Sequence, residues 1–270
     1  MGFVEDLILR HPCRGMDVLR PCLPEDFCRQ AAELILGWPK GGSVLLTTGF
    51  YVAGHAETDG PPGTLLLAKA LRTLGFSPVV VTDGLCRGYF ERGGIACTYL
   101  ETGASDETLA ALLRELAPVG LISVERCGRN SDGDYANMRG VSVAAHTAPI
   151  DRLFALADVP TVGIGDGGNE IGMGNLAEAI REKLALSPCC TTVDMLVIAT
   201  VSNWGALGLC ACLGCLPTEA EVEEAYLLAQ ELGFVDGVLR ECVLSEDGFS
   251  LDVMRSLYRE LAEAPALCCR

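Results

Sequence analysis

The sequence predicts an α/β fold, an open and mostly parallel Rossmann-like sheet with helices on both faces. From residue 43 onward, short apolar runs rich in β-branched residues alternate with polar, glycine-containing loops and then with helical patterns. This alternation is typical of parallel strands that are connected through helices. Half of the 270 residues are hydrophobic, which is enough for a large buried core.

Six apolar runs are the predicted strands of this sheet, namely 43–48, 78–82, 96–100, 120–124, 160–164 and 195–200. Helical patterns lie between and after them, at 63–74, 88–93, 107–117, 151–157, 176–185, 205–214, 219–231 and 251–264. A further short strand is predicted around 238–243.

The chain is predicted to form a single α/β domain over residues 1–270. Residues 1–40 contain two amphipathic pieces, which indicate a helical segment that covers the sheet. Residues 43–205 carry the core sheet with its motif-bearing loops, and residues 206–270 are predicted to be C-terminal helices. No low-complexity linker or solenoid repeat divides the sequence.

The charge balance argues against two classes of partner. The chain has 20 Lys and Arg against 36 Asp and Glu, a net charge of -16, which disfavours binding to nucleic acid or to an anionic membrane. No signal peptide is recognised, and no apolar run reaches the roughly 18 to 20 residues of a membrane span. We therefore expect a soluble, cytoplasmic protein that acts on a small molecule, and a homo-oligomer is compatible with the sequence.

The fourteen cysteines are scattered through predicted strands and helices, so buried thiols are expected and a disulfide framework is not. One cluster, Cys210-Ala-Cys212-Leu-Gly-Cys215, has a spacing that could ligate zinc or an iron–sulfur centre. Because it lies in an Ala- and Leu-rich helical pattern, we interpret these cysteines as small hydrophobic residues.

Asp-Gly recurs in the loops after four predicted strands, at Asp59-Gly60, Asp83-Gly84, Asp132-Gly133 and Asp166-Gly167. In an open parallel sheet these loops share one edge and meet near the topological switch point, where α/β proteins bind ligands. A single Asp-Gly is also a common turn, so the convergence is the stronger observation.

The loop after the first strand carries two acids, Glu57 and Asp59, two residues apart. In an extended segment this spacing puts both side chains on one side, where they suit a divalent cation or a shared proton. The alternative is a helix-capping Asp59 beside a solvated Glu57. His55 is the only histidine in a candidate loop, and a role as base or ligand rests on that fact alone.

The segment after the fourth strand, residues 125–140, is the most polar in the chain. Arginine binds carboxylate or phosphate in bidentate fashion, so Arg126, Arg129 and Arg139 are candidate anion-binding residues. The alternative is a surface network in which Glu125 and Asp134 neutralise these arginines.

The glycine-rich stretch 161–175 has the pattern of a buried strand followed by an acidic loop, and six glycines let its backbone come close to another group. Asp166 and Glu170 could coordinate Mg²⁺ or act as an acid/base pair. A tight capped turn is the alternative. The string Gly163-x-Gly165-x-x-Gly168 also satisfies a dinucleotide-binding pattern, but it comes late in the chain and Asp166 would crowd a pyrophosphate.

Taken together, several long motifs resemble the C-terminal domain of the D-glutamate cyclase family over roughly residues 43–205. They are Thr48-Gly-Phe-Tyr, Glu57-Thr-Asp-Gly-Pro-Pro-Gly63, Val81-Thr-Asp83, Glu125-Arg-x-Gly-Arg129, Asp132-Gly, Asn137-Met-Arg-Gly140 and Gly163-Ile-Gly-Asp-Gly-Gly-Asn-Glu-Ile-Gly-Met-Gly174. The resemblance implies a lyase that closes D-glutamate to 5-oxo-D-proline with loss of water.

Within this hypothesis the predicted catalytic acids are Asp59, Glu125, Asp166 and Glu170. The predicted substrate-binding residues are Thr48, Arg126, Arg129, Asn137, Arg139, Gly167, Gly168, Asn169, Ser202 and Asn203. Mg²⁺ or another divalent cation would be held by Glu57, Asp59, Asp166 and Glu170, and no organic cofactor is indicated. Ser202 and Asn203 also suit the N-terminus of the following helix as capping residues.

Two alternatives stay open at this point. The acidic loops and helix N-termini also fit a Mg-dependent enzyme that handles phosphates or nucleotides, although neither a Walker A motif nor Gly-x-Ser-x-Gly occurs. The other alternative is a domain that binds a small acid without turning it over, or that regulates a partner.

Overall fold

The computed structural model describes residues 2–264, and it contains the predicted parallel sheet. Ten strands are present within these residues, namely β1 Ser43–Thr47, β2 Tyr51–Val52, β3 His55–Ala56, β4 Ser77–Thr82, β5 Ala96–Tyr99, β6 Pro118–Val124, β7 Thr161–Gly165, β8 Met195–Ile198, β9 Ser245–Glu246 and β10 Phe249–Ser250. Six of them form one sheet in the order β5-β4-β1-β6-β7-β8, with every neighbouring pair parallel. All six predicted strands are therefore confirmed.

The direction in which the sheet grows reverses at β1. The chain first moves outward from β1 to β4 and β5, and it then returns to the other side of β1 with β6, β7 and β8. Counted along the chain, this is the 3-2-1-4-5-6 order of doubly wound Rossmann-type sheets. A crevice consequently opens between the carboxyl ends of β1 and β6, where ligands bind in such sheets.

Eleven α-helices surround this sheet in the described part of the chain. They are α1 Phe3–Ile8, α2 Met16–Leu19, α3 Phe27–Leu36, α4 Pro61–Thr73, α5 Tyr89–Arg92, α6 Asp106–Leu116, α7 Asp151–Leu156, α8 Ala177–Lys183, α9 Ser202–Cys212, α10 Glu219–Glu231 and α11 Leu251–Leu261. The N-terminal helices α1 and α3 both pack on α9, and α4 packs between α9 and α10. On the connections that return across the sheet, α6 packs against α7.

Helix α9 lies in the interior of the fold, since each of its eleven residues is buried. Its apolar sequence on every side fits this position, because a helix enclosed by others needs no polar face. Cys210 and Cys212 accordingly lie in the hydrophobic core as small apolar side chains. Burial raises the pKa of the Cys212 thiol to about 12. Eleven cysteines within the described residues, Cys215 not among them, are free thiols.

The strand predicted at 238–243 is wrong, because this segment forms a turn. The side chain of Asp236 accepts hydrogen bonds at 2.8 Å from the backbone N–H groups of Val238 and Leu239. These bonds take the place of pairing with a partner strand, and both apolar side chains are about half exposed. The two short strands β9 and β10 follow instead, as a hairpin whose turn carries Asp247.

Within residues 2–264, none of the helices has the length and apolar character that crossing a membrane requires.

Candidate functional site

A cavity of about 240 Å³ opens at the crevice predicted from the sheet topology. Its walls come from the loops after β1, β6 and β7, from the β9–β10 hairpin and from the N-terminal segment that carries Arg14. Five acidic side chains line it, namely Glu57, Glu125, Asp166, Glu170 and Asp247. Of the four Asp-Gly loops predicted to meet here, those after β1, β6 and β7 line the cavity, whereas the loop with Asp83 does not. Among the four Asp-Gly aspartates, Asp166 alone lines it: Asp83 pairs with Arg126, and Asp132 is exposed.

The rim of this cavity is partly apolar. Tyr51 and Val52 in the β2–β3 hairpin line the cavity together with the exposed Val141 and the buried Val143. Phe50 and Val143 belong to a small hydrophobic cluster that lies apart from the main core. Apolar side chains thus line the cavity beside its acids.

Asp166 lies directly after β7 and is fully buried. Its Oδ1 accepts a hydrogen bond of 2.5 Å from Nη1 of Arg14. Its Oδ2 is buried as well and has no hydrogen-bond partner. A buried carboxylate oxygen without a partner is costly, so Asp166 has a coordination position available inside the cavity.

Arg14 and Asp247 are the site residues that sequence reasoning missed. Nη2 of Arg14 lies 2.5 Å from Oδ1 of Asp247, and the arginine side chain is only 13% exposed. Burial opposes the charge of Arg14, but the neighbouring charges of Asp166 and Asp247 outweigh it and raise the pKa of this guanidinium. A signal for Asp247 did exist, because Asp247-Gly248 repeats the Asp-Gly dipeptide of the strand-end loops. Arg14 has no such signal.

Glu170 is held by the backbone of its own loop. Its Oε1 accepts from the N–H of Gly167 at 2.9 Å and its Oε2 accepts from the N–H of Gly168 at 2.8 Å. A Cβ added to Gly165 would lie 2.9 Å from Oε2, and one added to Gly167 would lie 2.7 Å from Oε1. These glycines therefore make room for Glu170. Burial, followed by the charge of Asp166, raises the pKa of Glu170 to about 7.

Glu125 lies in a left-handed backbone conformation with φ of 46°, immediately after β6. Its Oε2 accepts a hydrogen bond of 2.6 Å from the hydroxyl of Ser202. Burial and the charge of Asp166 raise the pKa of Glu125 well above its ordinary value. Ser202, predicted to bind substrate, therefore contacts an acid of the cavity.

Asp59 and Asn203 are buried behind this wall and contact helix termini. Asp59 accepts hydrogen bonds from the backbone N–H groups of Ser202 and Asn203, at 2.8 and 2.7 Å. The amide oxygen of Asn203 accepts from the N–H groups of Gly60 and Gly63, at 3.0 and 2.8 Å. These contacts agree with the capping alternative for Asp59.

Glu57 and Asp247 meet on the side of the cavity near Gly237. A Cβ added to Gly237 would overlap Oε1 of Glu57 and lie 3.0 Å from Oδ1 of Asp247. Burial, and next the charge of Asp247, raise the pKa of Glu57 well above its usual value. Burial raises the pKa of Asp247 to about 7, although Arg14 opposes that shift. His55 is exposed in β3.

Only one of the three predicted anion-binding arginines lines the cavity. Arg139 is exposed and lies at the rim. The guanidinium of Arg126 is buried, donates to Asp83 at 2.7 Å and also donates to two backbone carbonyls. Arg129 donates to the hydroxyl of Tyr135 at 3.3 Å. A second exposed arginine, Arg240, also lines the rim.

The remaining predicted substrate-binding residues are divided in the same way. Gly167, Asn137 and Asn169 line the cavity. The oxygen of the Asn137 side chain accepts from two backbone N–H groups of its own turn, while Nδ2 of Asn169 donates to a backbone carbonyl at 3.2 Å. Gly168 holds Glu170, and Thr48 is buried beneath Gly60 with its hydroxyl unpartnered.

Two groups of acids among residues 2–264 bring ligand oxygens within 4.8 Å of one another. They are Asp59, Asp166 and Asp247, and Glu125, Asp166 and Glu170. Carboxylate oxygens are the ligands that Mg²⁺ and Ca²⁺ prefer. Of the predicted ligands, Glu57 lines the same cavity but belongs to neither group. Asp166 belongs to both, so it is the common member of two possible cation positions.

The charge of the cavity also requires compensation. Five acids line it, and of the three arginines that line it Arg14 is 13% exposed, whereas Arg139 and Arg240 lie at the exposed rim. Buried carboxylates this close cannot all stay ionised unless further cations are present. Without such cations, some of them bind protons. The site can therefore exchange protons near neutral pH or hold a divalent cation.

Comparison with known proteins gives one extensive match. Residues 4–262 match the family described as D-glutamate cyclase-like, C-terminal. The chain is also similar to a curated protein from Homo sapiens named D-glutamate cyclase, mitochondrial, with 34% identity over 200 residues. That alignment covers 63% of this chain and 32% of the human protein, so the chain spans about a third of the relative's length.

Among solved structures the similarities are weak. A single-residue variant of actinorhodin polyketide ketoreductase with NADPH has a TM-score of 0.33 and 17% identity, covering 57% of this chain and 68% of that one. BdcA in complex with NADPH has a TM-score of 0.31 and 13% identity, covering 59% and 68%. Scores this low have no bearing on function.

Proposed function

Because the chain belongs to the D-glutamate cyclase-like, C-terminal family, we propose that it is a lyase that closes D-glutamate to 5-oxo-D-proline with loss of water. The name of the human relative supports this reaction, and the chain corresponds to about a third of that protein. The observation that carries the proposal is the acid-lined cavity around Asp166 at the switch point of the sheet.

The proposed reaction transfers protons within the substrate and consumes none from solution. The α-ammonium nitrogen loses two protons as it becomes the lactam N–H, and one γ-carboxyl oxygen leaves with two protons as water. Nothing else is consumed, so the site has to pass protons from the nitrogen to the departing oxygen. Groups with a pKa near the working pH do this best.

Glu57 and Asp247 are the proposed proton carriers. They meet over Gly237 at one side of the cavity, and burial raises the pKa of both. A carboxyl group that stays protonated can give its proton to the leaving oxygen, while an ionised neighbour accepts one from the amine. A close pair of buried acids favours this division, because one charge disfavours the other.

Glu125, Asp166 and Glu170 are the proposed ligands of a divalent cation such as Mg²⁺. Their oxygens approach within 4.8 Å of one another, and the unpartnered Oδ2 of Asp166 fits a coordinating role. When bound, such an ion would polarise the γ-carboxyl group as a Lewis acid. Ser202 orients Glu125 and the backbone of Gly167 orients Glu170, so these ligands are held before any ion arrives.

The exposed arginines of the rim are the proposed contact for the α-carboxylate of the substrate. Arg139 and Arg240 line the opening of a cavity whose interior is acidic, so a carboxylate is attracted to the rim and the ammonium to the interior. Val52 and Val143 line the same cavity and suit the methylene groups of glutamate. Arg126 is proposed as a positioning residue, since it joins Asp83 to two loops.

The acidic lining disfavours the alternative of a phosphate- or nucleotide-handling enzyme. Five carboxylates with Arg14 as the single inner arginine would repel a polyphosphate, even though an accompanying cation would offset part of that charge. The alternative of a small-acid-binding domain predicts binding without turnover.

The proposal is tested by incubating the purified chain with D-glutamate, with and without Mg²⁺, and measuring 5-oxoproline. L-Glutamate is the control for stereochemistry, and thermal shifts with glutamate and with Mg-nucleotide compare the ligands. A folded protein that forms no 5-oxoproline under any of these conditions refutes the cyclase. Stabilisation by D-glutamate without product would identify the binding domain instead.

A further inference from the structure

The two groups of acids differ in how many of their members pair with an arginine. Arg14 pairs with Asp166 and with Asp247, which are two of the three acids in the group Asp59, Asp166 and Asp247. In the other group, Glu125 and Glu170 form no ion pair with any described residue. One group therefore already contains a cation supplied by the chain.

The segment that carries Arg14 is fixed to the rest of the fold on both sides of this residue. Ahead of it, the N–H of Thr200 donates to the carbonyl of Ile8 at 2.8 Å and the Thr200 hydroxyl donates to the carbonyl of Arg10 at 2.7 Å. After it, Gly15 has a φ of 80° and lies so close to Leu184 that an added Cβ would overlap this side chain. The N-terminal segment thus holds the guanidinium of Arg14 beside Asp166, at the carboxyl end of β7.

We propose that the guanidinium of Arg14 takes the place of a second divalent cation, so that the cavity holds one exchangeable ion at Glu125, Asp166 and Glu170 and one permanent charge at Asp59, Asp166 and Asp247. This inference rests on the cation site of the proposed function. It assigns Arg14 a role that no sequence motif indicates.

The physical basis is the shared carboxylate. In two-metal sites the ions lie about 3.5 to 4 Å apart and jointly stabilise the charge that develops on the reacting oxygens. Asp166 is common to both groups here, and Oδ1 is already occupied by Arg14 while Oδ2 has no partner. A guanidinium remains charged at all working pH values and cannot be removed by a chelator, so the second charge is independent of the metal supply.

The acids of the cavity depend on this charge as well. If they were all ionised, the six buried carboxylates, counting Asp59 with the five that line the cavity, would carry more negative charge than one divalent ion offsets. Arg14 supplies one further positive charge between Asp166 and Asp247, at 2.5 Å from an oxygen of each. Arg14 is therefore an electrostatic positioning residue for the ligand Asp166, and it also excludes a second ion from its own side.

The test is to count bound Mn²⁺ per chain by equilibrium dialysis, without substrate, in the 270-residue chain. We expect one ion in the wild type, two in Arg14→Gln with the second bound more weakly, and one in Arg14→Lys, which keeps a positive charge. Arg10→Gln is the matched control, because Arg10 belongs to the same segment but pairs with Glu260 away from the cavity. It should bind one ion.

Two ions or none in the wild type would overturn the inference, and so would a folded Arg14→Gln that still binds one. If Arg14→Gln fails to fold, the number of Mn²⁺ ions bound by Asp247→Asn is measured instead. This variant should keep the single ion, because Asp247 belongs to the arginine side, and loss of that ion would contradict the proposal.

The prediction of the ion count and the prediction of turnover can be refuted separately. The expected pattern of Mn²⁺ binding without any 5-oxoproline would refute the cyclase only. Turnover by a wild type that binds two ions would refute the role of Arg14 only.

Discussion

Asp59 and Asn203 cap two helices reciprocally. Asp59 caps the N-terminus of α9, the helix that contains Asn203, and Asn203 caps the N-terminus of α4, which begins shortly after Asp59. Asp59, just ahead of α4, accepts the backbone N–H groups of Ser202 and Asn203 at the start of α9. Asn203, in α9, accepts those of Gly60 and Gly63 at the start of α4. The loop after β1 is thereby joined to α9, whose first residue, Ser202, in turn donates to the cavity acid Glu125.

Replacing Asn203 with Ala should destabilise the fold by about 2 to 4 kcal/mol, because two buried N–H groups lose their acceptor. The free energy of unfolding in urea measures this change. Ser105→Ala is the matched control, since Ser105 caps the exposed N-terminus of α6 through a single bond of 3.3 Å. It should cost about 1 kcal/mol or less. An equal decrease in the free energy of unfolding in the two variants would show that the reciprocal caps stabilise the fold no more than an exposed helix cap does.

Gly167→Ala should lower divalent-cation affinity and any turnover by at least about 10-fold, because the new Cβ would displace the Glu170 carboxylate. Gly103→Ala is the control, as an added Cβ there meets nothing within 4 Å. Calorimetric titration with Mn²⁺ measures the affinity. Unchanged binding in Gly167→Ala would mean that Glu170 is not a ligand.

The stability of the protein in EDTA should rise as the pH falls from about 8 towards 6. Glu170 and Asp247 have folded-state pKa values of about 7, above their ordinary values of 4.5 and 3.8. The folded state therefore binds more protons than the unfolded chain in this range, and its stability is lost as the pH rises through about 7. Mn²⁺ competes with these protons, so its stabilising effect should be larger at about pH 8 than at about pH 6. Melting temperatures that drop over the same fall in pH in EDTA would contradict this account.

Arg139→Gln should raise KM for D-glutamate by about 10-fold with little change in kcat, because a rim arginine contacts the substrate carboxylate equally in the ground and transition states. Arg114→Gln is the control, since Arg114 is an exposed arginine on α6 outside the cavity. Steady-state kinetics separate the two parameters. A lower kcat at unchanged KM would assign Arg139 to the chemical step instead.

The fold was predictable because the strands carry their own signal. Each of the six sheet strands is a short β-rich run followed by a polar loop, and a buried parallel strand needs little else. The strand prediction at 238–243 was wrong because the apolar pattern of a segment does not show whether a preceding side chain, here that of Asp236, will bind its backbone N–H groups. Asp236 binds the backbone of that segment, and such a bond depends on the folded turn.

The predicted residues that line the candidate site lie in loops after strands of the six-stranded sheet. Glu125, Asp166 and Glu170 do so, and the topology brings them together. Arg14 and Asp247 come from distant parts of the chain, and only the packing of the N-terminal segment and the β9–β10 hairpin brings them to Asp166. Nor does sequence distinguish an arginine that faces a ligand from one that, like Arg126, holds loop carbonyls.

Product formation, followed by ¹³C NMR in matched variants, tests most directly whether the cavity around Asp166 converts D-glutamate to 5-oxo-D-proline. The wild type and Asp132→Asn, which changes an exposed loop acid, should form the product at similar rates. Asp166→Asn should lose at least about 100-fold, because a direct ligand matters at least as much as the residues that orient ligands. Conversion by Asp166→Asn at the wild-type rate, or no product from the folded wild type, would contradict the account.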